Sequence, residues 1–544
     1  MSIKDQDTTD VAMDTPPAPP APYAKRQTIL TTLLLAPGAG LAASLMTVVL
    51  MGILLLVAGI PTPVELFGDF TLKHIDVNTF LRLLLMFSPN SKTTPLGLAL
   101  LGMIGAGIVL GVLYAALVRV TLPARDYRPG RREWLTAATF SAAMTLTGVL
   151  LFWNELGQNH FGLPGTSAML VTILGLLADF SLYGLVLCLA YRLLLPKQAQ
   201  PDVSRASQGR RQLLSRASVA ALSVGAGAGT LGLIRGYLNN YTSYDGTKTY
   251  PRNNITSPIT PNNEHYVVTQ NVVDPAPNTD LWRLEVTGLV NTPGTYTYAE
   301  MQKLPSTSRA ITLECIANGT GDHLLSTAIW QGVTLRTLLE QHGGPQAGAR
   351  YAAFYSVDGY NVSLPLDELL AIDALLAWRM NGAELPQRHG FPMRVLVPGH
   401  YGEENPKWLT RVELTDHFVG GLYSDQGWYN GPLHTISRID RPRGHVPFGQ
   451  VIEVGGIAFA GNRGIQKVEV SADKGLTWHQ AALQPPLSQD SWVLWTWQWS
   501  LALPGAYQLT CRATDGTGET QISHMQGTVP NGATGYHVVN AQVG

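Results

Sequence analysis

The positions of apolar residues divide the chain into two halves of different character. A helix needs about 20 apolar residues to cross the hydrocarbon core of a bilayer. Four long apolar runs have roughly that length, and a weaker fifth run, ASVAALSVGAGAGTLGLI, follows them. The runs lie near residues 30–60, 95–119, 134–153, 167–195 and 217–234. The pattern therefore predicts an all-α transmembrane bundle with five spans over residues 28–236.

The basic residues of the connecting loops predict the orientation of these spans. Arginines are concentrated in 119–132 and 192–216, whereas 154–166 has no Lys or Arg. Positive loops stay in the cytoplasm. We therefore expect a multi-pass protein of the cell (inner) membrane with a cytoplasmic N-terminus. Residues 1–27, rich in Pro, Asp and Thr, predict a disordered cytoplasmic tail, and everything after about residue 236 is expected in the periplasm or outside the cell.

Two features of the membrane half suggest more than anchoring. The stretch GRRQLLSRASVAAL at 209–222 resembles a twin-arginine export signal, a route that carries folded proteins, usually ones that acquire a cofactor first. Alternatively, Arg210 and Arg211 only belong to a basic loop. Asp179 is the one carboxylate deep in a span. It is either a functional group for protons or a quinone, or a carboxyl that hydrogen-bonds a neighbouring helix.

From residue 254 the hydrophobic pattern changes to short alternating runs. LWRLEVTGLV, YAAFYSVDGYNVSL, FPMRVLVPG and WLTRVELT predict strands, and AEMQKL, TLRTLLEQH and LDELLAIDALLAW predict helices. This mixture predicts an α+β domain over 254–420. After RPRGH at 441–445, strands recur at regular spacing between Gly, Asp and Pro turns, and no helix is evident. That pattern predicts an all-β immunoglobulin-like sandwich over 440–535.

Composition excludes several classes of function. The net charge of −1 argues against nucleic acid as a partner. The three cysteines, Cys188, Cys315 and Cys511, form neither a C-x-x-C nor a C-x-x-C-H motif. A cysteine zinc site, an iron–sulfur cluster and a c-type haem are therefore not expected. The spans contain no histidine, so we predict no haem of the b type either.

Cys315 has an unusual sequence setting. Cys188 lies within an apolar span and Cys511 alternates with apolar neighbours, so both are expected to be packing residues. Cys315, in ITLECIANGTGDHLL at 311–325, instead ends a β-like run and is followed by Asn318, Gly319 and Gly321. Glycines let backbone approach closely. This setting favours a ligand or a nucleophile over a core thiol.

Three stretches in the second half resemble the sulfite-oxidase family of molybdenum enzymes, over about 254–535. TLECIANG resembles the segment whose cysteine binds the metal, and MNGAELPQRHGFPMRVLVPGHYGEENPKWLTRVEL at 380–414 resembles the pterin-binding stretch. GGIAFAGNRGIQKVEVSADKGLTWHQAAL resembles the family's immunoglobulin-like, dimerisation-type domain. The resemblance implies a molybdenum–molybdopterin cofactor with Cys315 as metal ligand. It also makes a homodimer plausible.

The resemblance also implies which residues bind the pterin. Arg394 and Lys407 would hold its phosphate, unless they are only solvated charges; both, however, lie in apolar, strand-like sequence. His389 sits five residues before Arg394, as in the family. The remaining candidate cofactor-binding residues are Asn262, His265, Tyr266, Ser356, Asn405 and Pro406.

The chain departs from the family at the substrate side. Sulfite oxidases place an arginine soon after the metal cysteine, but here no Lys or Arg occurs between Cys315 and Arg336, and Asp322 and His323 occupy the region. Sulfite as substrate is therefore in doubt, although an arginine from elsewhere could converge. His323 is the candidate for orienting substrate or moving a proton. The b5-type haem domain of animal sulfite oxidases is also not seen.

These inferences predict a membrane-anchored, extracytoplasmic molybdenum-cofactor oxidoreductase that transfers an oxygen atom to or from a small molecule. A cytochrome or a quinone-linked membrane protein would exchange its electrons. One alternative is a repair enzyme resembling the periplasmic methionine-sulfoxide reductase. Another is a cofactor-free, membrane-tethered binding module. A third is a membrane domain that transports or senses a solute, with the second half as its regulator.

Overall fold

The computed structural model describes residues 22–87, 93–198, 205–240, 256–271, 274–500 and 503–544. Among the described residues of the first part are seven helices: α1 Pro22–Ala58, α2 Pro63–His74, α3 Val77–Met86, α4 Thr93–Val118, α5 Arg131–Leu151, α6 Gly165–Leu194 and α7 Arg205–Asn240. Five of them, α1 and α4 to α7, are long and apolar enough to cross a membrane, judged by length and composition.

Helix boundaries differ from the sequence-based expectation at three places. Residues 1–21 of the predicted tail lie outside the described residues, and α1 already begins at Pro22, because proline suits the first helical position and Ala, Lys, Arg and Gln favour helix. The twin-arginine-like stretch lies inside α7 rather than in a loop. Helices α2 and α3 were not predicted; α2 has a capping box of Thr62 and Glu65, which the order of residue types could have revealed.

The chain forms two compact units. The first takes in the described residues up to Val48, together with Gly102–Ala143 and Phe180–Ala228. In it, small residues let α1 and α4 pack backbone to backbone. A Cβ at Gly40 would lie 2.7 Å from the carbonyl oxygen of Gly107, and one at Gly111 would lie 2.9 Å from that of Ala36. Such spacing of small residues is typical of helix pairs in membranes.

The second unit comprises the described residues of Val49–Leu101, Met144–Asp179 and Gly229–Gly544. Its α+β part contains helices α8 Tyr298–Met301, α9 Leu335–Gln341, α10 Leu366–Ala371 and α11 Leu422–Asp425. Its strands are β1 Leu284–Gly288, β2 Gly294–Tyr296, β3 Thr307–Glu314, β4 Leu325–Thr334, β5 Tyr351–Ser356, β6 Asn361–Pro365, β7 Leu375–Met380, β8 Ala383–Glu384, β9 Arg394–Leu396 and β10 Leu409–Thr415. Short 3-10 helices cover Gln387–His389 and Gly402–Glu404.

These strands form two sheets. One has the order β2-β1-β10-β5-β6, and the other has the order β3-β4-β7-β8, with β9 paired to β7. In the second sheet, β3 and β4 are antiparallel, and Glu314 pairs with Leu325. The turn between these two strands therefore begins at Cys315, which places the cysteine at the edge where the sheet ends.

The C-terminal part of the second unit is built from strands. They are β11 Ile436–Arg441, β12 Gly444–Val446, β13 Val451–Phe459, β14 Ile465–Ser471, β15 His479–Gln480, β16 Ala482–Leu483, β17 Val493–Ser500, β18 Gly505–Asp515 and β19 His537–Val543. They make a four-stranded sheet, β11-β13-β17-β16, and a five-stranded sheet, β12-β19-β18-β14-β15. A shared core that includes Trp495 of the first and Leu509 of the second joins them. The predicted order of helical, α+β and β regions is thus confirmed.

One predicted helix is wrong over half its length. LDELLAIDALLAW forms helix only as far as Ala371, and Leu375–Met380 is strand β7. Asp373 adopts a positive φ of 50°, which ends the helix. Strand β7 is buried on both faces between its neighbours. A continuous apolar run of this kind cannot be told from a buried helix by periodicity alone.

Candidate functional site

Cys315 begins a tight, fully bonded turn. Its amide donates to the carbonyl of Leu324 at 2.9 Å, and its carbonyl accepts from the amide of Asn318 at 2.8 Å. The Asn318 side chain closes the turn, since it accepts from the Leu324 amide at 2.9 Å and donates to Glu314 at 3.0 Å. The backbone of Cys315 is therefore held on both sides. Its side chain belongs to a buried cluster that also includes Tyr266 and Trp330.

A glycine brings a distant loop against this cysteine. A Cβ built at Gly402 would lie 2.7 Å from the phenolic oxygen of Tyr266 and 3.7 Å from the Cα of Cys315. Only a residue without a side chain fits there without displacing the tyrosine. Three segments that are far apart in sequence, each expected to touch the cofactor, therefore meet at one point.

Trp330 contacts two of the candidate cofactor-binding residues, Arg394 and His265. The Arg394 guanidinium lies 5.1 Å from its ring centroid, and the His265 ring lies 5.6 Å from it, edge-on. His265 in turn contacts the rings of Tyr266 and His389, at 5.4 Å and 5.0 Å between centroids. Sequence analysis missed Trp330; its position on the same face of β4 as other buried residues is a signal of packing only.

Arg394 is a buried cation held by main-chain carbonyls. Its two terminal nitrogens donate to the carbonyls of His389 and Asn405, each at 3.1 Å. Burial lowers the pKa of Arg394 to about 10, so the group still carries its charge near neutral pH. A buried charge without a carboxylate partner is costly. The site is therefore suited to an anion that is not part of the protein.

Three buried polar atoms on the candidate cofactor-binding residues have no hydrogen-bond partner among the described residues. They are Nε of Arg394, Nε2 of His265 and Oγ of Ser356. Buried polar groups are nearly always satisfied, so these atoms fit a polar ligand that fills the site. Burial, helped by the charges of His389 and Arg394, lowers the pKa of His265 well below its usual value, which keeps the ring neutral.

The remaining predicted residues support this arrangement. Nε2 of His389 donates to the carbonyl of Asn262 at 3.0 Å, and burial lowers the pKa of this histidine to about 3. Asn262 donates to the carbonyl of Met380 at 3.1 Å, which ties the segment to β7. The Asn405 side chain accepts from the Val397 amide at 2.6 Å, and the Pro406 carbonyl accepts from the Val395 amide at 2.9 Å.

Lys407 lies at the rim of the same region. Its ammonium group donates to the carbonyls of Val268 and Arg388, at 3.1 Å and 3.3 Å, and lies 4.2 Å from the ring of Trp408. A Cβ at Gly390 would lie 3.0 Å from the Cβ atoms of both Arg394 and Lys407. The Cβ atoms of the two cationic residues therefore lie on either side of one glycine.

His323 faces a different set of groups. It is buried, and its pKa falls to about 4, first because of burial and then because of the charge of Arg438. Arg438 donates to the carbonyl of Asp322 at 2.8 Å and pairs with Asp440 at 2.7 Å. An arginine from β11 thus converges on the segment after Cys315. No local pattern in the sequence indicates this contact, since the two segments are over a hundred positions apart.

Comparisons with known proteins agree with this geometry. Residues 271–423 match the family described as oxidoreductase molybdopterin binding domain, and residues 438–541 match the Mo-co oxidoreductase dimerisation domain. The chain is 28% identical over 313 residues to sulfite oxidase of Gallus gallus, which covers 48% of this chain and 68% of that protein.

Two further similarities extend the comparison. The chain is 28% identical over 328 residues to an inducible NADH nitrate reductase of Glycine max, covering 48% of this chain and 37% of that protein. Among solved structures, sulfane dehydrogenase SoxCD from Paracoccus pantotrophus is 23% identical over 49% of this chain and 76% of that chain, with a TM-score of 0.45. The two domain matches occur in the predicted order: the chain contains a molybdopterin-binding oxidoreductase domain followed by a Mo-co oxidoreductase dimerisation domain, and over this half it is similar to sulfite oxidase.

Proposed function

We propose that this protein is a membrane-anchored, extracytoplasmic molybdenum-cofactor oxidoreductase that transfers an oxygen atom to or from a small molecule. The observation that carries the proposal is the group of buried, unpartnered polar atoms on His265, Ser356 and Arg394, within the part of the chain that matches the molybdopterin-binding family. When bound, the cofactor supplies a metal that exchanges an oxygen atom and two electrons with substrate.

The residues of the chain bind and orient that group. The thiolate of Cys315 is a soft ligand suited to the metal, and the bonded turn around it fixes the direction of its side chain. Arg394 and Lys407 supply positive charge for the pterin phosphate. His265 and His389 are held neutral by burial, so they hydrogen-bond the cofactor without adding to that charge.

His323 is proposed to orient substrate or to accept a proton. With its pKa lowered to about 4, the imidazole is neutral near pH 7 and is a weak base, so this pKa favours the role of orienting substrate through a hydrogen bond. The charge of the neighbouring Arg438 is matched by Asp440, at 2.7 Å. This pairing favours a neutral or weakly charged substrate over a strongly anionic one. It is also the observation that keeps a sulfoxide-reducing repair enzyme as the second candidate.

Contacts within the second unit support an attachment of the catalytic domain at the membrane surface. The Asn159 amide donates to the carbonyl of Val357 at 3.4 Å, and the Asn278 amide donates to that of Phe161 at 3.0 Å. Gln426 donates from its side chain to the carbonyl of Leu72 at 2.8 Å. The segments that join the apolar helices on this side carry few basic residues, which supports a periplasmic location.

The C-terminal β-domain is proposed to have the immunoglobulin-like fold and to form a homodimer. Its two sheets enclose one core, as a sandwich requires, and its family match carries the dimerisation description. Electrons are proposed to pass to or from a cytochrome or a quinone-linked membrane protein.

The test is the molybdenum and pterin content of the purified full-length chain, expressed in a host that makes and inserts the cofactor. We expect near-stoichiometric metal and pterin in the wild type. Cys315→Ser should lose turnover and show an altered metal spectrum. Cys511→Ser, at another buried cysteine, should retain turnover and the wild-type metal spectrum. A wild type without metal and pterin would contradict the proposal and leave a binding module.

A further inference from the structure

We propose that the first unit binds the head group of a phospholipid, specifically one that carries a hydrogen-bond donor beside its phosphate. The site is a cavity of about 540 Å³ between the α4–α5 connection and the end of α6. Its walls include Arg125, Asp126, Arg128, Glu133 and Arg192. The inference is independent of the redox chemistry and rests only on the proposed membrane insertion.

The walls of this cavity are fixed by hydrogen bonds. The Ala124 amide donates to the carbonyl of Pro196, and the Gln198 amide donates to that of Ala124, both at 2.8 Å. Lys197 donates to the carbonyl of Leu195 at 3.0 Å and lies 4.8 Å from the Tyr127 ring. The connection between α4 and α5 is therefore pinned to the segment after α6, and the cavity is formed without a ligand.

The arginines around the cavity differ in whether they are paired with groups of the protein. Arg192 is fully engaged: it donates to the backbone and side chain of Asp126, at 3.1 Å each, and to Glu133 at 3.4 Å. Arg125 and Arg128 are exposed, and neither guanidinium has a hydrogen bond or ion pair with another described residue. These two arginines are available to an anion such as a phosphate diester.

Glu133 supplies the second recognition element. It is 4% exposed. One oxygen, Oε2, accepts from the Gly130 amide at 2.6 Å, while Oε1 has no partner among the described residues. A buried carboxylate oxygen at a cavity wall requires a donor. The ligand therefore combines a phosphate for the arginines with a hydroxyl or ammonium group for Glu133, as phosphatidylglycerol and phosphatidylethanolamine do and phosphatidylcholine does not.

The location agrees with a lipid source. The cavity lies at the end of the helices where the basic residues collect, which the positive-inside rule places at the cytoplasmic leaflet. Basic pockets between membrane helices on that side bind anionic head groups. A lipid whose acyl chains run beside the helices would present its head group at this depth.

The experiment measures lipid binding to the full-length, delipidated protein by native mass spectrometry, with parallel incorporation into nanodiscs. We expect phosphatidylglycerol and phosphatidylethanolamine to bind more tightly than phosphatidylcholine. Arg125→Gln combined with Arg128→Gln should weaken the binding of both lipids about thirty-fold, because each arginine near the membrane surface strengthens binding roughly five-fold. Glu133→Gln should weaken the ammonium lipid more than the hydroxyl lipid. Circular dichroism and the thermal transition check that each variant folds.

The matched control is Arg210→Gln with Arg211→Gln, which removes the same charge from exposed positions of α7 that do not line the cavity. Equal weakening by the control, or equal binding of phosphatidylcholine, would overturn the site in favour of general surface charge. Displacement by inorganic phosphate alone would show a soluble ligand instead of a lipid. Failure to enter nanodiscs would reject the membrane insertion itself, whereas insertion without lipid preference would reject only this site.

Discussion

Gln158 packs directly on Gly359, so that a Cβ at residue 359 would overlap the amide end of Gln158. Gln158 lies between two apolar helices, and Gly359 lies in the turn that joins β5 to β6. The same turn begins at Ser356, one of the residues with an unpartnered buried atom. The segment between α5 and α6 therefore forms one face of the turn that carries a candidate cofactor contact.

Gly359→Ala is expected to destabilise the protein for two additive reasons. Residue 359 has a φ of 75°, which costs an L-residue about 1–2 kcal/mol, and the overlap with Gln158 adds an overpacking cost of about 1–3 kcal/mol. Cofactor content should fall as the Ser356 turn shifts. The midpoint of thermal unfolding and the pterin content measure the two effects.

Gly348→Ala is the matched control for this prediction. Residue 348 has a φ of 94°, but a Cβ there would meet nothing within 4 Å. It should therefore show the backbone cost alone and normal pterin content. If the two alanine variants have the same unfolding midpoint and the same pterin content, the contact between Gln158 and the turn does not contribute to stability.

Gly402→Ala should displace Tyr266, because the new Cβ would lie 2.7 Å from the phenolic oxygen. We expect a loss of about 1–3 kcal/mol from overpacking, together with weaker cofactor retention. Tyr266→Phe removes the crowded oxygen. The double variant should therefore recover part of the stability lost by Gly402→Ala, and additive losses in the double-mutant cycle would reject the contact.

Arg394→Lys should release the cofactor even though the charge is kept. The guanidinium donates to two carbonyls at 3.1 Å and still has Nε for a ligand, a geometry that an ammonium group cannot reproduce. Hydrogen bonds from charged groups contribute about 1.5–3 kcal/mol each, so pterin affinity should fall at least about tenfold. Arg411→Lys, whose guanidinium lies 3.8 Å from the Tyr355 ring, should retain the cofactor. Fluorescence of the released pterin after gel filtration measures both.

Acid should destabilise the protein partly through His323. Its folded-state pKa of about 4 lies below the usual value of 6.5, so the unfolded chain takes up the proton first. Its contribution to stability is complete above pH 6.5 and is lost as the pH falls toward 4. His323→Gln should reduce the pH slope of the unfolding free energy in that window by up to one proton. Denaturant unfolding at several pH values tests this, and parallel curves for both proteins would contradict it.

Asp179 is buried in α6, and its Oδ1 has no partner among the described residues. If the helices only anchor the enzyme, Asp179→Asn should leave turnover in membranes unchanged, because the substitution conserves shape. A loss of turnover coupled to a membrane electron donor or acceptor, with dye-coupled turnover retained, would instead assign the carboxyl to the electron or proton route.

Local patterns in the sequence were sufficient for the order of domains, since hydrophobic runs and their spacing act within single elements. They predicted five membrane-length helices, the α+β region, the β-rich C-terminal region and the setting of Cys315. They failed where tertiary contacts override local preference: the apolar run at 375–380 pairs as a central strand because β4 and β9 lie on either side of it.

The site itself depends on contacts between distant parts of the chain. The family resemblance indicated which residue types to examine, but only the folded chain places Gly402 on Cys315, Arg394 beside Trp330 and Arg438 beside the segment after the cysteine. Residues separated by tens to more than a hundred positions meet because strand pairing brings their loops to one edge. Local sequence patterns do not indicate which distant residues will be in contact. Close packing and the satisfaction of buried polar groups determine those contacts in the folded chain.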